Sequence, residues 1–155
     1  MDEYLFEARE ELKRLEHIIY VSLKYTRTVD VILNALNRMV STYDFIIEAF
    51  LRKAIEEGKL DSMPKSPALT AKRLGDLYPN DEIIQKNLTF YFSLRNILKS
   101  PHLKRQEFRR HVTLVMPQED HTVEVEIDNL VNCEKFIHKF LYYSQKLIEG
   151  IVEED

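Results

Sequence analysis

The sequence predicts a mainly α protein: an up-and-down bundle of four to five helices with a β-hairpin inserted near residues 111–127. Three observations carry this expectation. Apolar residues recur at three- and four-residue steps along most of the chain. Only 3 Gly and 5 Pro interrupt 155 residues, which suits long helices. Strict alternation of apolar and polar side chains is confined to one short stretch. With 45% hydrophobic and 31% charged residues the chain carries enough apolar surface to offset chain entropy, which excludes a disordered polyelectrolyte. Its length suits one domain, residues 1–155.

Leu5, Ala8, Leu12, Leu15, Ile18, Ile19 and Leu23 fall on one helical face, predicting a first helix over about residues 2–25. Thr28 reads as the N-cap of a second helix that buries Val31, Ile32, Leu36, Met39, Val40, Phe45, Ile46 and Phe50 and stops at Gly58. Between them the polar stretch Lys24 to Asp30, with Tyr25 and Arg27, reads as a kink or as a second wall of a cleft. Ser66 caps and Pro67 opens a shorter third helix ending near Tyr78. A fourth begins at Asp81, carries Ile84, Leu88, Tyr91, Leu94 and Leu98 inward, and is interrupted by Pro101. HVTLVM and TVEVEI then alternate, joined by PQEDH, and predict the hairpin. Asp128 or Asn129 is expected to cap a last helix whose inner stripe is Leu130, Cys133, Ile137, Phe140, Leu141, Ser144, Ile148 and Ile151.

The opening residues MDEYLFEAREELKRLE are charged from the second position, and no apolar run is long enough to span a bilayer, so a cytoplasmic protein is expected. Cys133 is the single cysteine and can form no intramolecular disulfide. No His or Cys spacing matches a metal motif, and neither metal nor cofactor is expected.

Function is pointed to by charge. From Arg95 to His111 the chain reads RNILKSPHLKRQEFRRH, six cations against the single acid Glu107, in a protein whose formal net charge is −4. Segregation of this kind holds a polyanion in one place and repels it elsewhere. Arg95 and Lys99 equally suit the last turns of a helix, where cations complement its dipole. Arg109 and Arg110 equally suit the edge of a strand, where charge deters sheet aggregation.

Arg95, Asn96 and His102, as RNILKSPH near the end of the penultimate long helix, resemble the signature of the HEPN domains. The resemblance implies a four-helix bundle that in its active members is a metal-independent endoribonuclease, commonly a homodimer. In that reading His102 moves the proton, Arg95 clamps the scissile phosphate, and Asn96 orients either partner. Lys99, Lys104, Arg105, Arg109, Arg110 and His111 would hold flanking phosphates of RNA or a nucleotide. The same resemblance admits a non-catalytic partner of a small nucleotidyltransferase, as in toxin-antitoxin pairs, or a nucleotide-binding module. A winged-helix DNA-binding arrangement is the third expectation, with PQEDH as the wing tip, although FYF at Phe90, Tyr91 and Phe92 is apolar for a groove-facing helix.

Overall fold

The computed structural model describes residues 2–150, so the expected inward position of Ile151 lies outside the described residues. Helix α1 (Glu3–His17) continues through a π-helical segment, Ile18–Ser22, and a final turn, Leu23–Tyr25. Three residues then lead into α2 (Val29–Glu56). The remaining elements are α3 (Pro67–Leu77), α4 (Glu82–Leu98), β1 (Leu103–Arg105), β2 (Thr113–Pro117), β3 (Thr122–Val125) and α5 (Ile127–Glu149).

Local chemistry sets most boundaries. Thr28 Oγ1 accepts from the Val31 N–H at 3.3 Å, Ser66 Oγ from Leu69 at 3.2 Å, and Asp81 Oδ1 from Ile84 at 3.0 Å, each satisfying an N–H that has no partner within its helix. Pro67 stands at the first helical position, where a missing N–H costs nothing. Gly58 ends α2 at φ 74°, with Gly58 N–H on the Ile55 carbonyl and Lys59 N–H on that of Ala54. The second bond requires the left-handed backbone that glycine adopts without steric cost.

Cross-helix contacts fix the directions. Glu11 of α1 sits between Arg14 (2.8 Å) and Arg38 of α2 (3.1 Å), and the three-residue connection makes those helices antiparallel neighbours. The Asp2 N–H donates to Glu149 Oε1 while Glu16 lies beside His138, so α1 and α5 run in opposite senses. Tyr143 donates to Asp81 and Phe136 packs on Phe90, so α4 and α5 do too. The long helices therefore form an up-and-down bundle, with α2 touching all the others and α3 as a short fifth member.

The core is one continuous cluster, knit in the middle by Tyr43, Phe50, Tyr91 and Phe140. Tyr43, fully buried, keeps its hydroxyl satisfied by donating to Asn87 Oδ1 at 2.7 Å, and Asn87 in turn donates to the Ile83 carbonyl. Tyr91 of the FYF run is core, Phe90 packs against it, and Phe92 is exposed.

The expected hairpin is present as β2 and β3, and β1 extends it to a three-stranded antiparallel sheet in the order β1-β2-β3, with Leu103 opposite Val115 and Leu114 opposite Val125. As the central strand, β2 buries Leu114 and Met116 towards α2, and also Thr113, while Val112 just before it is buried too. Two expectations are revised. The cap of α5 is Glu126, in a reciprocal capping box with Asn129, in place of Asp128 or Asn129. The chain must turn directly out of β3, which brings the helix start forward. The first helix also contains the π-helical segment, which the apolar spacing alone does not announce.

Candidate functional site

The turn joining β1 to β2, residues 106–112, is the most strained segment described. Gln106 (φ 53°) and Phe108 (φ 66°) both occupy the left-handed region, at a cost of about 1–2 kcal/mol each for side-chain-bearing residues. Two bonds hold the turn against the corner between α1 and α2, and a third braces the corner itself. Glu107 Oε2 accepts from the Val29 N–H at 2.8 Å, capping α2 from a distance of 78 residues. The Phe108 N–H donates to the Arg27 carbonyl at 2.7 Å, and Arg27 Nε donates to the Leu23 carbonyl. The acid that interrupts the basic island is thus a helix cap.

Pinned in this way, the turn exposes Phe108 (76% accessible) and sets Arg110 and His111 against Arg27. These three line an open cleft of about 210 Å³ with Glu126, Ile127 and Asp128 at the start of α5. His111 Nδ1 lies 3.6 Å from Glu126 Oε1. The cleft is of mixed charge: cations on the turn and corner, carboxylates at the helix start.

The other basic residues are distributed. Lys104 Nζ stands 3.8 Å from both Asp30 and Glu107, and Arg105 lies 2.7 Å from Glu124 on β3, an exposed pair that lowers the Glu124 carboxyl and raises the guanidinium. Exposed pairs of this kind are weak and screened by salt, so a phosphate can displace them. Lys99 closes α4, and Arg109 is exposed beside Phe108; neither makes an ion pair among the described residues.

Arg95 is half-buried and turned towards α2. Its guanidinium carbon lies 5.7 Å from the Tyr91 ring centroid and its Nη1 is 3.5 Å from the Tyr91 hydroxyl, which donates to Asp44 Oδ1 at 2.5 Å. Burial raises the Asp44 carboxyl, opposed by the Tyr91 bond and the Arg95 charge. The Tyr91 hydroxyl is pushed up, first by burial and then by Asp44. Asp44 also lines an open cavity of about 250 Å³ with Glu48, Met63, Lys65, Ser66 and Thr70. His102 is exposed on the connection after α4, with no polar partner among the described residues, and Asn96 is exposed in the last turns of α4.

Of the residues expected to act together, the fold joins Arg110 and His111, and adds Arg27 from the polar corner. Arg95 instead joins Tyr91 and Asp44. Phe108 was not singled out by sequence, although an aromatic flanked by Glu107 and Arg109 has no apolar repeat to belong to. Nor was the cluster of Glu16, Glu134 and His138 on α1 and α5, where burial and then Glu16 push the Glu134 carboxyl up to about 7. No helix among the described residues is long and apolar enough to cross a membrane. No protein-family model, curated protein or solved structure matches the chain.

Proposed function

We propose that this chain binds single-stranded RNA or a nucleotide at the turn and cleft formed by Arg27, Phe108, Arg109, Arg110 and His111. The observation that carries this reading is the strained turn, pinned by Glu107 to the start of α2, which exposes an aromatic ring among cations. A ring offers a stacking surface to any base, and guanidinium groups take the flanking phosphates. Glu126 and Asp128 across the cleft are acceptors suited to ribose hydroxyls, so the mixed charge favours a nucleotide unit over a bare phosphate. Lys104, whose partners Asp30 and Glu107 lie at or beside the turn, is the further cation that a flanking phosphate could recruit.

The test is fluorescence anisotropy with a labelled single-stranded RNA at two salt concentrations, for the wild type and for Phe108→Ala and Arg110→Ala. Binding should weaken steeply with salt, Arg110→Ala should flatten that dependence, and Phe108→Ala should cost about 1–3 kcal/mol without changing the slope. Salt-insensitive binding, or two variants that bind as the wild type does, rejects the reading.

A catalytic, HEPN-like form of the same reading rests on His102, whose exposed imidazole is free to move a proton, with Arg95 as the phosphate clamp and Asn96 beside it. It requires the Arg95 guanidinium to exchange its contact with Tyr91 for phosphate. The assay is RNA cleavage in excess chelator, with products ending in cyclic phosphate, by a homodimer. Loss of cleavage in both Arg95→Ala and His102→Ala supports it. Cleavage unchanged in a folded His102→Ala variant removes that form and leaves the binding module, alone or beside a nucleotidyltransferase-type partner.

A further inference from the structure

On the seam between α1 and α5, Glu16, Glu134 and His138 converge. Glu134 and His138 are four residues apart on α5 and so share a face, while Glu16 occupies the last turn of α1, immediately before the π-helical segment. Their carboxylate oxygens and imidazole nitrogen all lie within 4.8 Å of one another. His138 Nδ1 is 3.7 Å from Glu16 Oε1 and 3.9 Å from Glu134 Oε1. A four-coordinate Zn²⁺ with bonds of about 2.0–2.1 Å sets its ligand atoms roughly 3.3–3.4 Å apart. The two imidazole–carboxylate separations therefore need movements of only a few tenths of an ångström to close on such an ion.

Two further features distinguish this cluster from acids scattered on a surface. Glu134 is only 6% exposed and lies within hydrogen-bonding reach of Glu16, so its carboxylate is buried beside another acid, with the His138 imidazole 3.9 Å away. His138 also has its ring near-parallel to that of Tyr142, with centroids 6.5 Å apart and 23° between planes. Its side chain remains 53% exposed, leaving one side of the trio open for a water ligand.

We propose that Glu16, Glu134 and His138 form a binding site for one divalent transition-metal ion of the Zn²⁺ class, bridging α1 and α5. One imidazole and two carboxylates suit Zn²⁺, Co²⁺ or Mn²⁺ better than Mg²⁺, which prefers an all-oxygen octahedral shell. The site lies apart from the 106–112 turn and is independent of the RNA-binding reading, so either can fail alone.

The experiment is calorimetric titration of chelator-stripped full-length protein with zinc sulfate, with magnesium sulfate as the control, alongside thermal melting. His138→Ala and Glu16→Gln change exposed or half-exposed groups, and circular dichroism establishes that each is folded. One zinc per chain should bind, magnesium should not compete, and zinc should raise the Tm of the wild type. Each substitution should weaken zinc binding about tenfold or more and abolish the Tm gain. Absence of saturable zinc binding overturns the proposal, as does zinc binding of wild-type strength in both folded variants, which would place the ion on other histidines.

Discussion

Replacing Glu107 by Ala separates the two roles that this acid can play in the basic turn. Judged by charge alone, removing the only acid between Arg95 and His111 should tighten the hold on a polyanion. The geometry predicts the reverse. Glu107 Oε2 is the acceptor for the Val29 N–H at 2.8 Å, and Val29 is fully buried, so water has poor access to that donor. An unsatisfied buried N–H costs about 1–3 kcal/mol. For a domain of this size that corresponds to a fall in Tm of roughly 2–4 °C for each kcal/mol. Glu107→Gln keeps an acceptor oxygen and loses only the charge at the helix start, so it should cost less than about 1 kcal/mol. Urea denaturation of the three proteins measures the order, and anisotropy with RNA measures the consequence. Glu107→Ala should bind RNA more weakly than wild type, because the turn that presents Phe108, Arg110 and His111 loses its anchor. Wild-type stability together with tighter RNA binding in Glu107→Ala would refute the anchoring argument.

Other expectations test the bundle. Tyr43→Phe leaves the buried Asn87 Oδ1 without its donor and should cost about 1–3 kcal/mol by denaturant melt; a loss near zero would mean that water replaces the hydroxyl. Asp44 titrates with the opposite sign to a salt-bridged acid. Because burial raises its folded value above its unfolded one, the native state holds a proton that the unfolded chain has released, and stability falls as pH climbs through that window. The stability of wild type relative to Asp44→Asn should thus be greatest near pH ~3.5, below the unfolded aspartate value, and decline towards neutrality; a difference that is flat with pH refutes it. Cys133 is half-buried, and burial pushes its thiol up, so an aromatic disulfide reagent at neutral pH should react about tenfold more slowly than with free cysteine. Reaction at the free rate would show α5 to be open there.

What could be read in advance was whatever is decided locally. Thr28, Ser66 with Pro67, Asp81 and Gly58 each act on backbone groups within a few positions, and their helices begin or end where those side chains dictate. Strand β1 was not legible. Leu103, Lys104 and Arg105 are all exposed and make no apolar alternation, and only pairing with β2 turns them into a strand. The site divides in the same way. A charge island is a local property, so Arg109, Arg110 and His111 stand out as candidates from sequence alone. Whether its members cooperate depends on contacts across the chain: Glu107 with Val29, Asp44 with Tyr91, Glu16 with His138. Arg95 shows the limit. Its spacing to His102 is a one-dimensional fact, whereas its direction is set by a carboxylate on another helix.

The π-helical segment between Ile18 and Ser22 gives α1 a property that its residue types do not reveal. Such a segment widens one turn of an otherwise regular spiral, which is the local effect of a single additional amino acid. Each residue in an ordinary helix advances the angular position by about 100°. Widening the turn absorbs that residue, so Leu12 and Leu15 before the segment and Leu23 after it still face the interior. Deleting one residue within the segment should restore a regular spiral and leave both flanks in register, whereas deleting one from the regular part of α1, between Leu12 and Leu15, would swing the preceding turns by about 100° and turn Leu5 and Ala8 out of the core. The segment is therefore the place in this helix where a shortening by one should cost least.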